Sequence, residues 1–135
     1  GGNLHHLVML GGFAGYENSS GIESYKPTKT SAFWVDLASA HPKMAPGIFF
    51  GYTKNSGTDA GFKNLYMRGI SGNRILDEVW RASARIDFKQ NKFSISPEAE
   101  YTSAKWGDMN PEALAKNNLK NVGNLRGTIR VMYSF

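Results

Sequence analysis

The chain has 135 residues, 41% of them hydrophobic and 13% aromatic, which is enough apolar material to order one domain, with no internal boundary, over 1–135. The absence of cysteine excludes a disulfide scaffold, a thiolate metal site and a cysteine nucleophile. The net charge is +5, but the sixteen basic residues are scattered, so we expect no nucleic-acid partner. No stretch approaches the roughly 18 apolar residues of a transmembrane helix, so a membrane would be crossed only by strands.

The alternation of side-chain types predicts an all-β chain, because period-two stretches are separated by clusters of Gly, Asn, Ser and Pro. The predicted strands are 5–16, 32–40, 47–54, a short piece near 64–70, 76–88, 92–106 and 123–135. One pattern is helical. In NPEALAK, Asn110 suits an N-cap, Pro111 the first turn and Glu112 the helix dipole, which predicts a short helix within 107–122.

The connections between these strands differ in length. The turns 41–46 and 89–92 are short, whereas 17–31, 55–75 and 107–122 are long. An antiparallel meander with short turns at one end and long loops at the other is typical of an up-and-down transmembrane β-barrel.

The segment 80–101 distinguishes the two faces of the predicted sheet. A two-residue turn at Gln90 and Asn91 would pair Phe88 with Phe93 and Trp80 with Tyr101 on an apolar face. Aromatic residues then lie at both ends of this face, with small residues such as Ala84 in the middle. A packed core would need large side chains there, whereas lipid does not. With the strands tilted by about 40°, the eight residues between the aromatic ends span roughly 20 Å along the barrel axis, close to the apolar band of about 25 Å in membrane barrels.

The last strand alternates up to the final residue. Leu125, Ile129, Val131, Tyr133 and Phe135 fall on one face, together with Gly127. This ending resembles the C-terminal signal of Gram-negative outer-membrane β-barrels, although Gly127 departs from the usual large residue. The resemblance implies that Tyr133 and Phe135 form the assembly signal read by the barrel-assembly machinery, that the ending is periplasmic and that the long loops are extracellular.

The size of the repeating hairpins is similar to that of porins. The resemblance implies a location in the bacterial outer membrane, contact with outer-membrane lipid, and association as a homotrimer or with other outer-membrane proteins. Bacterial barrels have even strand numbers. Because we count about seven to eight strands and the start at Gly1 is abrupt, we expect the chain to be the C-terminal part of a larger barrel.

The polar face of the predicted sheet carries charges. We predict that six of them line a channel and that the surplus of arginine favours anions; they are Arg81, Arg85, Glu98, Glu100, Arg126 and Arg130. The alternative is a set of ion pairs that fills a narrow barrel. The predicted lipid-facing residues are Trp80, Ile86, Phe88, Phe93, Ile95, Tyr101, Ile129 and Val131.

Three further features of the sequence bear on function, namely a possible constriction loop, the histidines and the catalytic motifs. Tyr66, Arg68 and Arg74 mix aromatic and basic character in one loop, which predicts a constriction of the channel, the alternative being a merely exposed surface. His5 and His6 would point to opposite faces of a strand, so we expect no metal site. No nucleophile elbow or phosphate loop is present, so we expect neither an enzyme nor a cofactor.

The sequence therefore predicts a porin-type channel for passive diffusion of small solutes, with a preference for anions. One alternative is a small closed outer-membrane barrel that serves adhesion or membrane integrity. The other is a soluble, lipocalin-like barrel whose apolar face would line an internal ligand pocket.

Overall fold

The computed structural model describes residues 11–135, which form an all-β structure of antiparallel strands. The strands are β1 (Gly12–Glu17), β2 (Glu23–Pro27), β3 (Thr30–Ala38), β4 (Met44–Asn55), β5 (Asn64–Met67), β6 (Ile70–Ser71), β7 (Arg74–Gln90), β8 (Phe93–Met109) and β9 (Ala115–Tyr133). Within these residues, no helix is long and apolar enough to cross a membrane.

The strands form two sheets. The main sheet has the order β3-β4-β7-β8-β9, with the two-residue β6 paired to β7, and the small sheet has the order β2-β1-β5. The main sheet is a meander in chain order, except that the chain leaves it after β4 to form β5. Both sheets are open over residues 11–135, so this part of the chain is all-β and antiparallel, as predicted, and does not close into a barrel by itself.

The main sheet has two unlike ends. At the short-turn end, the chain reverses through 39–43 between β3 and β4 and through 91–92 between β7 and β8. At the loop end, it passes through 56–73 between β4 and β7 and through 110–114 between β8 and β9. The predicted strands 32–40, 47–54, 76–88 and 92–106 correspond to β3, β4, β7 and β8, with shifted ends.

Two predictions about the first half of the chain are corrected, and a third lies partly outside the described residues. The segment 17–31, predicted as a loop, contains β2. The predicted strand near 64–70 is divided into β5, which ends at Met67, and β6, which begins at Ile70. Of the predicted strand 5–16, the residues before 11, including His5 and His6, lie outside the described residues, and the remainder corresponds to β1.

The helix predicted within 107–122 is wrong. β8 continues to Met109, and β9 begins at Ala115, so only a tight turn remains. Asn110 caps this turn as foreseen, since its Oδ1 accepts hydrogen bonds from the backbone N–H groups of Glu112 (3.1 Å) and Leu114 (2.7 Å). Ala113 then takes a positive φ of 56°, which ends any helical path. One turn also cannot repay the cost of helix nucleation.

The register of the β7–β8 hairpin differs from the prediction by two residues. Gln90 pairs with Phe93, so the two-residue turn consists of Asn91 and Lys92. Asn91 has a φ of 54°, a left-handed conformation that asparagine tolerates better than most residues. Because side chains alternate with a period of two, a two-residue shift exchanges partners but leaves every residue on its predicted face.

A fully buried asparagine holds the loop end together. The Nδ2 group of Asn55, at the end of β4, donates to the carbonyl oxygens of Leu76 in β7 (3.3 Å) and Ala113 in the β8–β9 turn (2.8 Å). Its Oδ1 accepts a hydrogen bond from the N–H of Gly57 at 2.9 Å. One side chain therefore connects three successive parts of the sheet.

We expect Asn55→Ala to lower the free energy of unfolding by about 2 kcal/mol, because it leaves buried backbone groups without partners. Urea unfolding followed by tryptophan fluorescence would measure this. The control is Asn121→Ala, an exposed asparagine of β9 that should stay close to the wild type. Equal midpoints for the two variants would contradict the structural role of Asn55.

Candidate functional site

One face of the main sheet is apolar and exposed. It is continuous from β3 to β9, because the register places apolar residues side by side in every strand. One row, for example, runs Leu37, Ile48, Ala84, Ala99 and Gly127. Tyr52 and Trp80 on this face are half-buried. Its other large side chains are 37–74% exposed, among them Phe33, Val35, Leu37, Met44, Ile48, Phe50, Ile86, Phe88, Phe93, Ile95, Tyr101, Leu125, Ile129, Val131 and Tyr133.

Aromatic rings border this apolar face towards the loop end. Successive ring centroids are 5.6 Å apart for Phe33 and Tyr52, 6.4 Å for Phe50 and Trp80, and 5.3 Å for Trp80 and Tyr101. At the short-turn end, the border consists of Phe88, Phe93, Tyr133 and Phe135, with Tyr133 and Phe135 in edge contact at 5.3 Å. Phe135 is fully exposed. Between the two borders, the face carries aliphatic and small residues.

The height of the apolar face is the same in four strands. Its borders are Met44 and Tyr52 in β4, Trp80 and Phe88 in β7, Phe93 and Tyr101 in β8, and Leu125 and Tyr133 in β9. Each pair is separated by eight positions, or roughly 26 Å along a strand at about 3.3 Å per residue. The four strands therefore share one apolar length, which is a property of the sheet as a whole rather than of any single strand.

Charged residues begin immediately beyond the aromatic border at the loop end. Lys54 pairs with Glu78, and Glu78 with Lys105, in adjacent positions of β4, β7 and β8. The Nζ atoms of Lys54 and Lys105 lie 3.7 and 3.1 Å from carboxylate oxygens of Glu78. Tyr52 at the border donates its hydroxyl to Glu78 at 2.7 Å. In β4 and β7, the charged residue is thus the next one on this face after the aromatic residue, whereas in β8 Ser103 lies between Tyr101 and Lys105.

The opposite, polar face of the main sheet holds the predicted channel-lining charges. All six lie on this face, and all except Glu98 form ion pairs with described residues. The carboxylate oxygens of Glu100 lie 3.4 Å from a guanidinium nitrogen of Arg81 and 3.1 Å from one of Arg126. The side chains of Arg81 and Glu100 are only 7% and 6% exposed, whereas that of Arg126 is 51% exposed. Arg81 also donates from Nε to the hydroxyl of Thr102 at 2.9 Å.

Two carboxylates of the polar face were missing from the predicted site. Asp36 in β3 forms an ion pair with Arg85 at 2.9 Å, and Asp87 in β7 forms one with Arg130 at 3.5 Å. Gly47 leaves the room through which the Arg85 side chain reaches Asp36, because a Cβ there would lie 3.0 Å from the guanidinium carbon. The alternation in AFWVDLASA was the available signal for Asp36.

These additions remove the predicted surplus of arginine. The polar-face cluster of charged residues contains four arginines, namely Arg81, Arg85, Arg126 and Arg130. It also contains four carboxylates, namely Asp36, Asp87, Glu98 and Glu100. The cluster is therefore electrically balanced, with cations and anions side by side.

A cavity of about 250 Å³ opens within this cluster. It is lined by Arg85, Asp87, Ser96, Glu98, Arg126, Thr128 and Arg130. The side chains of Arg126 and Arg130 are 51% and 56% exposed, so their guanidinium groups face open space as well as their partners. A solute in this cavity would meet charges of both signs.

The residues predicted to form a constriction lie in different elements of the fold. Tyr66 lies in β5 of the small sheet, where its ring stacks on Phe13 at 4.9 Å. Arg74 begins β7 of the main sheet and donates to the carbonyl oxygens of Trp106 (3.2 Å) and Asn118 (3.1 Å). Arg68 lies between β5 and β6. Arg74 therefore joins three strands of the main sheet rather than accompanying Tyr66.

No family model, no curated protein and no solved structure matches this chain. Among residues 11–135, no group of three or more histidines or carboxylates is placed to hold a metal ion. The argument for function consequently depends on the two faces of the main sheet.

Glu100→Gln should lower the free energy of unfolding by about 3 kcal/mol, because it leaves the charge of buried Arg81 without its carboxylate. The control is Asp59→Asn in the 56–73 connection. Lys26 holds the pKa of Asp59 below its usual value through a hydrogen bond of 2.8 Å and its charge, but both side chains are more than half exposed. Water screens such a pair. In urea unfolding, a midpoint for Glu100→Gln as high as that of the control would contradict the buried ion pair.

Proposed function

We propose that this chain forms part of the wall of a porin-type channel in a bacterial outer membrane, through which small solutes diffuse passively. The observation that carries the proposal is the inverted arrangement of the main sheet. Its apolar face is exposed and continuous, while its charged face contains the buried residues, including Arg81 and Glu100. Such an arrangement is unfavourable in water but is expected where lipid contacts one face and a polar lumen the other.

The borders of the apolar face support a membrane location. Aromatic residues concentrate at both membrane interfaces in outer-membrane barrels. The eight-position separation of the borders, tilted by about 40°, corresponds to roughly 20 Å along the membrane normal. The row of Lys54, Glu78 and Lys105 would then lie at the level of the lipid headgroups. Outer-membrane lipid is the first partner of this proposal.

The end of β9 supports the same assignment. Tyr133 and Phe135 are exposed at the short-turn end, where an assembly machinery could bind them. In this proposal the short-turn end is periplasmic and the loop end extracellular. The open edges at β3 and β9 agree with a larger barrel in which further strands complete the wall, from this chain or from others.

The alternatives fit these observations less well. A lipocalin-like barrel would enclose its apolar face, but that face is the exposed one. A small barrel for adhesion or membrane integrity would fill its interior with ion pairs, and the buried pair of Arg81 and Glu100 favours this function to that extent. The half-exposed arginines 126 and 130 around an open cavity favour a lumen that contains water.

The direct test is to purify the native full-length protein from membranes with detergent and to insert it into planar lipid bilayers. We expect discrete conductance steps that remain constant over time. Release of the protein from cells without detergent, or bilayers that stay sealed at high protein concentration, would contradict the proposal.

Tryptophan quenching tests which face meets lipid. The variant Trp34→Phe/Trp106→Phe retains only Trp80, and Trp80→Phe/Trp106→Phe retains only Trp34, which lies on the polar face in the row of Gly51 and Arg81, next to the row of Trp80. In vesicles of brominated lipid, we expect strong quenching of Trp80 and little of Trp34. The opposite order would mean that the sheet presents its polar face to the bilayer.

A charge placed on the apolar face provides an energetic test. Ala84→Arg should cost about 2–4 kcal/mol of stability in the bilayer, because it places a guanidinium near the membrane midplane. Thr128→Arg is the matched control, since Thr128 lies at a similar height on the polar face, directly opposite Glu98. Folding yields into vesicles would measure both, and equal losses would contradict the assignment of faces.

A further inference from the structure

Glu98 is the one carboxylate of the polar-face cluster that makes no ion pair with the described residues, although arginines surround it. In the register, Arg85 of β7 lies directly opposite Glu98 on one side, and Thr128 of β9 on the other. Arg126 and Arg130 flank Thr128 two positions away on the same face, the diagonal neighbours of Glu98. A carboxylate in this position would be expected to bind at least one of the three guanidinium groups.

The three arginines are engaged elsewhere. Arg85 forms an ion pair with Asp36 at 2.9 Å. Arg126 forms one with Glu100 at 3.1 Å, and Arg130 forms one with Asp87 at 3.5 Å. The Oε1 atom of Glu98 is buried and accepts no hydrogen bond from residues 11–135. A buried carboxylate oxygen without a donor is costly, so its retention calls for an explanation such as a ligand.

The cavity beside Glu98 supplies the space for such a ligand. Its lining includes Glu98 together with Arg126 and Arg130, whose side chains remain more than half exposed. An N–H donor of the solute can bind Glu98, while an anionic group of the same solute can bind the arginines. The cavity volume of about 250 Å³ restricts this to a small molecule.

From this arrangement we infer that the cavity is a binding site for small zwitterions that carry a primary ammonium and a carboxylate group, with Glu98 as the residue that selects the ammonium. The inference deepens the proposed channel and rests on it. It also replaces the anion preference that the sequence predicts, because the balanced cluster offers no net positive charge. A solute with both charges interacts with the site more favourably than an ion of either sign.

Glycine and betaine are suitable probes. Both are zwitterions with the same carboxylate, but the trimethylated nitrogen of betaine has no N–H to donate to Glu98. In planar bilayers containing the native full-length protein, we expect glycine to reduce the ion current at concentrations about tenfold lower than betaine, a ratio that corresponds to about 1.4 kcal/mol. This comparison requires no variant, so it does not depend on the folding of a mutant.

Glu98→Gln identifies the residue responsible. We expect this variant to lose the tenfold preference for glycine while it still conducts ions. Asp87→Asn is the matched control, since it removes the same charge from the same cavity, but its carboxylate already pairs with Arg130. The control should shift the anion-to-cation permeability ratio as much as Glu98→Gln and keep the preference for glycine.

The outcomes separate this inference from the proposed function. A wild-type protein that gives no conductance contradicts the channel itself. A conducting wild type that responds equally to glycine and betaine overturns the zwitterion site and leaves the channel intact. A preference lost in both variants would assign the effect to net charge rather than to Glu98, and would also overturn the inference.

Discussion

The strict alternation of side chains in the main sheet is the constraint on which the other features depend. In a single layer of strands, each residue faces one of two sides, and the register aligns these choices across β3, β4, β7, β8 and β9. The result is an apolar face of constant height and a polar face with paired charges. A slip of one residue would place arginines of β7 or β9, or glutamates of β8, on the apolar face, so the two faces constrain the register of these strands together.

The charges of the polar face are paired in a way that lowers the free-energy cost of burying them. Glu100 neutralises Arg81 where both are almost fully buried, and more exposed arginines pair at the margins. This order agrees with the high cost of an isolated buried charge. Glu98 is the exception, and its free oxygen lies beside the cavity. Departures from full pairing are informative because the rest of the cluster follows the rule.

The sequence was sufficient to predict which face of the sheet each residue occupies, because that depends only on alternation along the strand. The face of each residue in β7, β8 and β9 followed from alternation, even though the hairpin register was misplaced by two positions at Asn91. Properties that depend on tertiary contacts were not predictable. The capping signal of Asn110 is shared by a helix and a tight turn, and only the continuation of β8 into β9 decides between them. The buried position of Asn55 likewise results from three distant backbone groups.

The length of β9 has a consequence for the proposed channel. Ten residues, Ala115 to Asn124, continue the strand beyond the apolar border at Leu125, or roughly 33 Å along the strand. If the apolar face lies in lipid, β7, β8 and β9 extend from the membrane together as a paired three-stranded sheet, and the turn at 110–114 is held far from the bilayer. That turn would be among the parts of the described chain that antibodies and bacteriophages encounter first, and a short epitope inserted there would report the orientation of the protein on living cells.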